Sequence, residues 1–351
     1  MKVGVPKEVV PNERRVALTP DAAAKLGLEV LIETGAGTGA FFSDAQYEKA
    51  GAKIVPEVFS QSDIIVKVQK PTAEEAGKIR EGAVLIAMNL TGAEETLAAR
   101  KISAFSMERI PRISRAQSMD ALSSQANIAG YKAVLIAAET LSKFFPMLTT
   151  AAGTIFPAKV LVLGAGVAGL QAIATARRLG AVVWGYDVRP IVKEQVESLG
   201  AKFLEFDLGE KDTQDKGGYA KELSPEAKLK QQDLLAQKTK EFDVVITTAL
   251  IPGKPAPRLI TKETVAGMRP GSVIVDLAAE AGGNCEVTQP GKTADCGGVI
   301  IHGPLNLPST MPVHASQLYA RNVSELLKLI VKDGALNVDL NDEIVKAAKI
   351  T

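Results

Sequence analysis

Short runs of valine and isoleucine alternate along this chain with longer stretches whose apolar residues recur at helical spacing. KVGVP at the start, EVLIET (29–34), DIIVKV (63–68), AVLIAM (83–88) and ISAFSM (102–107) form one set of runs. KVLVLG (159–164), AVVWGYD (181–187), AKFLEFD (201–207), DVVITTA (243–249), SVIVDLA (272–278) and GVIIHG (298–303) form a second. Continuous apolar runs of this length, each followed by a helical pattern, predict strands buried on both faces in successive βα units. Each set suffices for one parallel sheet, so the expected fold class is α/β, with two doubly wound parallel-sheet domains and a cleft between them. Residues 119–145 carry apolar side chains at helical spacing and predict one long helix bridging the two sets. The stretch from His314 is helical again, follows the proline-rich LNLPSTMP, and is expected to fold back on the first domain. The expected division is therefore 1–120 plus 312–351 for a discontinuous first domain and 121–311 for the second.

Composition narrows the function classes. A chain of 351 residues has material for about two domains. Lys plus Arg number 41 and Asp plus Glu 40, a net charge of +1, so no net field draws the chain to nucleic acid or to an acidic membrane. Cys285 and Cys296 make neither a disulfide framework, nor a four-thiolate zinc site, nor a C-x-x-C redox motif, which predicts a reduced, intracellular protein. The first residues lack the apolar core of a signal peptide, and the most apolar segments, 83–90 and 160–170, fall short of the roughly 20 residues that span a bilayer. No direct membrane insertion is expected.

The chemistry starts at GAGVAG, residues 164–169. G-x-G-x-x-G alone is a weak signal, but here a strand precedes it, the helical LQAIATARRLG follows it, and the next strand ends at Asp187, roughly 20 residues on. That context predicts a Rossmann-like dinucleotide site. Gly164 permits the tight turn, Gly166 lets backbone approach a pyrophosphate at the helix N-terminus, Gly169 allows close helix-to-strand packing, and Asp187 accepts from both ribose hydroxyls of an adenosine. A 2′-phosphate would meet the like charge of Asp187, so NAD(H) is favoured over NADP(H), a preference that Arg189 blunts.

A dehydrogenase acting on an alcohol or amine also needs a base, and no good candidate is evident. His302 closes a strand and His314 opens a helix, positions typical of structural histidines; no metal-binding cluster or nucleophile elbow is present. The polar segment 111–131, PRISRAQSMDALSSQANIAGY, has two readings: a loop whose Ser and Asp cap the following helix, or one in which Arg112 or Arg115 and Asp120 lock a loop that aims the Gln117 amide at a cofactor. The connection 207–243 is long for a βα unit and holds Gly217-Gly218-Tyr219 in a charged stretch. It is either a mobile lid with Tyr219 at its tip or a surface helix with a long lead-in.

PRISRAQSMDALSSQ, GAGVAGLQAIATARRLGA, VKEQVESLGAKF, GGYAKE, TTALIPGKPAPRLIT and GSVIVDLAAEAGGNCE together resemble the NAD(H)-binding component of the proton-translocating nicotinamide nucleotide transhydrogenases, over almost the whole chain. The resemblance implies a peripheral homodimer, on the cytoplasmic face of the inner membrane if bacterial. It also implies a partner component carrying NADP(H), a membrane component passing protons, and hydride transfer directly between the two nicotinamides. Such transfer moves no substrate proton and needs only proximity, with the rings about 3 to 3.5 Å apart, which accounts for the missing base. Carried onto this chain, the resemblance makes Arg112 and Asp120 the pair that fixes the loop, Gln117 the side chain reaching the dihydronicotinamide and ribose, and Ser123 its neighbour near the carboxamide. Arg112, Ile113, Ser114 and Arg115 become cofactor-contacting loop. Val167 falls over the pyrophosphate, Asp187, Val188 and Arg189 on the adenosine ribose, and Ala249 and Leu250 beside the adenosine. Gly218, Tyr219 and Gln231 fall in a mobile loop that closes on bound nucleotide. The resemblance also implies a domain running some tens of residues past Thr351, and residues 303–320 differ in detail from the family pattern.

Alanine dehydrogenases resemble the chain too, sharing PKE…RRVALTP with Arg15 and the ending NLPS (306–309). They carry a substrate lysine where Gln69 stands and a catalytic histidine where Asn89 stands. An amide is no base near neutral pH, and Gln69 supplies no cation for a carboxylate, so amino-acid dehydrogenation is not expected. A regulatory NAD(H) sensor without a reaction partner is the remaining alternative.

Overall fold

The computed structural model describes residues 1–210, 220–251 and 253–351. It divides into two compact units, Met1–Gln125 with Pro308–Thr351, and Ala126–Leu307. The boundary falls inside the helix Ala121–Thr140.

In the first unit β1 (Lys2–Val5), β2 (Glu29–Glu33), β3 (Lys53–Val55), β4 (Ile64–Val66), β5 (Val84–Ala87) and β6 (Ser103–Ser106) form one sheet in the order β3-β2-β1-β4-β5-β6, every pair parallel. Alternation along the strands sends Val3, Val5, Ile64, Val66, Val84 and Ile86 to one face. There the helix Pro312–Ile330 covers them with Tyr319, Val323, Leu326 and Ile330. Leu31, Ile65 and Leu85 point the other way, against Ile79 and Leu97. The long apolar runs follow from this double burial. Local chemistry starts the helices: Ser43 with Gln46, and Thr72 with Glu75, close reciprocal capping boxes.

In the second unit the end of the helix Ala121–Thr140 is followed by the hairpin β7 (Leu148–Thr150) and β8 (Gly153–Ile155). Its sheet comprises β9 (Lys159–Leu163), β10 (Val182–Tyr186), β11 (Lys202–Leu204), β12 (Val244–Thr247), β13 (Val273–Asp276), β14 (Thr293–Cys296) and β15 (Val299–His302), in the order β11-β10-β9-β12-β13-β15-β14. All pairs are parallel except the edge pair β14 and β15. Strand order reverses between β9 and its two neighbours, so the turns leaving β9 and β12 flank a topological switch point, where open α/β sheets receive ligands.

Each of the valine and isoleucine runs named above contains a strand. The expected helix 119–145 is shorter, Ala121–Thr140, because Leu141 and Phe145 turn into the core and the chain continues into the hairpin. That hairpin, the edge strand β3 and the antiparallel β14 went unforeseen. All are short, and the hairpin strands are exposed along their whole length, so burial leaves no apolar run to read.

Candidate functional site

In the second unit the glycine turn joins β9 to the helix Val167–Arg178. Gly164 has φ +98°, a left-handed conformation open mainly to glycine. A Cβ on Gly169 would lie 1.8 Å from the Gly164 carbonyl oxygen, so helix and turn touch through backbone. Gly166 is different: it precedes the helix as its N-cap residue, makes no side-chain cap hydrogen bond, and a Cβ there would meet nothing within 4 Å. Free space in front of unsatisfied helical N–H groups suits an anion such as a pyrophosphate. Val167, at the first helical position, is half-buried beside it. The geometry fits a dinucleotide on this chain's own residues.

Asp187 follows β10 directly. Its Oδ2 accepts the Ala165 N–H at 2.7 Å and its Oδ1 the Arg189 N–H at 2.9 Å, so backbone ties the carboxylate to the glycine turn. The Arg189 guanidinium also lies on it, with Nε 2.9 Å from Oδ1 and Nη2 2.7 Å from Oδ2. Val188 between them is half-buried. Across the switch point Thr248 Oγ1 donates to the Gly164 carbonyl at 3.0 Å. Ala249 is held by Asn284, which accepts the Ala249 N–H at 3.0 Å and donates to the carbonyls of Ala249 and Pro257 at 2.9 and 2.8 Å. Leu250 is 47% exposed, an apolar side chain presented at the strand's carboxyl end.

Gln231 corrects an expectation. It lies not in a loop but in the helix Pro225–Thr239, whose start is set by the Ser224 cap and by Pro225 in the first turn. Ala227, Gln231, Leu235 and Thr239 recur every fourth residue and are all buried. Gln231 Nε2 donates to Tyr186 Oη at 2.9 Å, and burial pushes that phenol up to about 12, so it stays neutral. Gly218 and Tyr219 lie outside the described residues.

In the first unit Arg112, Ile113, Ser114, Gln117, Asp120 and Ser123 line one cavity of about 380 Å³, with Pro111 and Ala116. Ala116 and Met119 anchor the short 3₁₀ segment Ser114–Met119 in the core, which leaves Gln117 between them facing out. Asn322, from the helix Pro312–Ile330, holds the segment from below by donating to the Ser118 carbonyl at 2.7 Å and accepting from Ser124 Oγ at 2.7 Å. Asp120 accepts the Ser123 N–H at 2.8 Å and Ser123 Oγ at 2.6 Å, so it caps the helix Ala121–Thr140. Arg115 is not among the cavity-lining residues: it donates to Asp342 at 2.7 and 3.2 Å, the residue that caps the helix Glu343–Ala348.

Gln69 and Asn89 come together in the same unit. Asn89 Nδ2 donates to Gln69 Oε1 at 3.0 Å, and Gln69 Nε2 donates to Glu13 Oε2 at 2.8 Å. Arg15 is bonded to Glu13 and, through Nη1, to Gln125 Oε1 at 2.8 Å. Burial alone would raise the Glu13 carboxyl, but the Arg15 hydrogen bonds and charge outweigh it and hold it at about 2. The amides are thus joined to an ionised pair, and neither supplies a base. His302 sits between Thr140 and Thr293 hydroxyls at 2.9 and 3.0 Å, and burial lowers its proton affinity. Among the described residues no group of three or more His, Cys, Asp or Glu is placed to hold a metal ion, and no helix is long and apolar enough to cross a membrane.

Sequence reasoning missed Asn284, Asn322 and the Glu13–Gln69–Asn89 chain. Single polar residues bonded across tens to hundreds of positions leave no local pattern.

Comparison with known proteins assigns the family. Residues 4–129 match the model "Alanine dehydrogenase/PNT, N-terminal domain" and residues 133–351 the model "Alanine dehydrogenase/PNT, C-terminal domain". The chain is 50% identical over 362 residues to NAD(P) transhydrogenase subunit alpha of Haemophilus influenzae, covering 100% of this chain and 70% of that protein. It superimposes on the crystal structure of transhydrogenase from Sinorhizobium meliloti with a TM-score of 0.90 at 48% identity, covering 99% and 98% of the two chains. Alanine dehydrogenase 2 of Staphylococcus aureus is more distant, 33% identical over 329 residues, with 89% of this chain and 82% of that protein covered. With both parts of the chain matching the family's two domain models and half its residues shared with a transhydrogenase alpha subunit, the chain belongs to the alanine dehydrogenase/PNT family, on the side of the NAD(P) transhydrogenase alpha subunits.

Proposed function

We propose that this chain binds NAD(H) and exchanges hydride directly with NADP(H) carried by a separate component, while a membrane component couples the exchange to proton translocation. The observation that carries the reading is the glycine turn: left-handed Gly164, backbone-tight Gly169, and Gly166 open before an uncapped helix, with Asp187 tied to the same turn. Gly164, Gly166, Val167 and Gly169 hold the pyrophosphate, Asp187 and Val188 the adenosine ribose, with Arg189 beside them on the Asp187 carboxylate, and Ala249 and Leu250 the adenosine. Gln231 supports this end through Tyr186. Arg112, Ile113, Ser114, Gln117 and Ser123 contact the dihydronicotinamide half, with Asp120 ordering the segment and Arg115 acting through its tie to the Asp342 cap. The extent of the two domains is read as 1–120 with 312–351, and 121–311.

NAD(H) supplies the two electrons and the proton as one hydride, so no residue here need accept a substrate proton. The chain's task is positioning, and Gln117 is its acting residue: an amide donates and accepts at once without changing charge during transfer. The test is NADH against NADPH titration of the purified chain by fluorescence, followed by hydride transfer to an NADP⁺ analogue with and without an NADP(H)-binding component. Selective NADH binding, turnover only with that component, and at least about a tenfold slower transfer in Gln117→Ala are expected, the size usual for a lost positioning contact. NADH formed from L-alanine by the chain alone would overturn the reading.

The chain is also read as a homodimer, peripheral on the cytoplasmic face of the membrane. The hairpin supports the first half of that reading: Met147, Leu148, Ile155 and Phe156 are exposed around two strands with unpaired edges, Phe156 at 81%. A two-stranded ribbon is marginal in water by itself, and a two-fold copy pairs like with like. Leu148→Asp with Phe156→Asp should turn a dimer into a folded monomer in sedimentation velocity; an unchanged sedimentation coefficient would exclude the hairpin as the contact.

A further inference from the structure

Asp187 has no acceptor position left for a ligand. A carboxylate offers about four lone-pair positions. Two are taken by backbone, Ala165 N–H on Oδ2 and Arg189 N–H on Oδ1. The other two are taken by one guanidinium, Nε on Oδ1 at 2.9 Å and Nη2 on Oδ2 at 2.7 Å. The pair is well shielded, with side chains 6% and 13% exposed. An adenosine ribose brings two vicinal hydroxyls that need one acceptor position on each oxygen. Those are the two positions that the guanidinium fills.

We propose that Arg189 is a latch on Asp187, a specificity-determining residue that competes with the adenosine ribose for the same two acceptor positions and must swing off before a dinucleotide binds. The inference rests on the dinucleotide reading above. Its mechanics are local. The two backbone N–H groups hold the carboxylate in place whether or not the guanidinium is there, so opening needs rotations of one side chain and no movement of the turn. Binding then exchanges a fork of two charge-assisted hydrogen bonds for two hydroxyl hydrogen bonds, which lowers affinity for any ribose ligand. A ligand bearing a 2′-phosphate fares differently: it cannot donate from that oxygen to Asp187, but it meets the cation the latch releases. Arg189 therefore weakens NADH binding and narrows the discrimination against NADPH, and selectivity for NAD(H) comes from Asp187 in spite of Arg189.

The test is a fluorescence titration of the full chain and of Arg189→Gln with NADH and NADPH, with ADP-ribose displacement reading the adenosine half separately. Arg189→Gln should bind NADH and ADP-ribose roughly threefold to tenfold more tightly, in the range of one partly buried ion pair, and should widen the NADH to NADPH ratio. Arg189→Lys, which keeps the charge but lacks the planar fork, should fall between. In an Asp187→Asn background the Arg189→Gln gain should vanish, because the competition needs the carboxylate. Thermal melts alongside show that each variant is folded. Weaker or unchanged NADH binding in Arg189→Gln, with the parent chain binding normally, overturns the latch and makes Arg189 a direct ligand or a bystander. Absence of NADH binding by parent and variant alike removes the dinucleotide reading and the latch with it.

Discussion

Alanine in place of Gly169 is expected to destabilise the protein by about 3 to 5 kcal/mol and to abolish NADH binding, although it adds one methyl group. The new carbon would lie 1.8 Å from the Gly164 carbonyl oxygen, well inside any tolerated contact, and that oxygen belongs to backbone rather than to a side chain that can turn away. Relief requires the helix Val167–Arg178 to move off the turn by more than an ångström. The same carbonyl accepts the Thr248 hydroxyl, so moving it also loosens β12 from the switch point. Gly166→Ala is the matched control. Its Cβ meets nothing within 4 Å and its φ is −76°, so folding should change by less than about 1 kcal/mol while NADH binding falls, because the open space belongs to the ligand. Chemical denaturation with NADH titration of both variants checks this. A Gly169→Ala protein as stable as its parent would mean that the helix contact is not as tight as the structure has it.

Lys67→Met is expected to cost a similar amount, about 3 to 5 kcal/mol at pH 8, for an electrostatic reason. Lys67 is 1% exposed, its ammonium 2.7 Å from Glu75 Oε1 and 3.5 Å from Glu8 Oε2. Glu75 also caps its own helix by accepting the Thr72 N–H through its other oxygen, so it cannot leave to find water. Without the cation two buried carboxylates lose their counter-charge. Glu8 is already strained in this sense: burial, the largest influence, pushes its carboxyl from 4.5 up to about 7 against the pull of Lys67. Because the folded-state value is raised, the Glu8 contribution to stability is complete below about pH 4.5 and is lost as pH rises through about 7. The parent protein should therefore lose on the order of 3 kcal/mol over that window from this one group. Glu8→Gln should remove that slope, and Lys67→Met should be less damaging at pH 5 than at pH 8, because loss of Lys67 raises the Glu8 carboxyl further and keeping it protonated in the fold costs more as pH climbs. Urea unfolding at a series of pH values from 4.5 to 8.5 measures both. A pH profile of Glu8→Gln that parallels the parent would show that Glu8 titrates at an ordinary value in the fold.

Much of this protein is local and could be read from its sequence. Doubly buried parallel strands demand continuous apolar runs, so the central strands stood out in the sequence. The turn from β9 into its helix is built within a few residues by glycines whose spacing is the geometry, and Asp187 stands where the next strand must end. The Gln117 segment was legible as polar density before a helix, and Asp120 both caps that helix and lines the cavity.

What only the tertiary structure decided has one physical character: partners distant in sequence, or orientations within a short stretch that spacing does not specify. Gln69 and Asn89 stand out in the sequence one by one, but that they touch is decided only when β4 and β5 pair in parallel and bring them to 3.0 Å. Asn284 looks like any loop asparagine until the backbone of Ala249 and Pro257 meets its amide. Gln231, expected in a loop, is drawn into a helix because the four-residue spacing from Ala227 to Thr239 gains more by burial against the sheet than by staying in water. Arg189, two residues from Asp187, shows the limit most plainly. Sequence identified both charges, but whether the cation waits for a phosphate or closes on the carboxylate is a choice of side-chain rotamer, made by the backbone N–H groups that fix Asp187 and the surroundings that shield the pair.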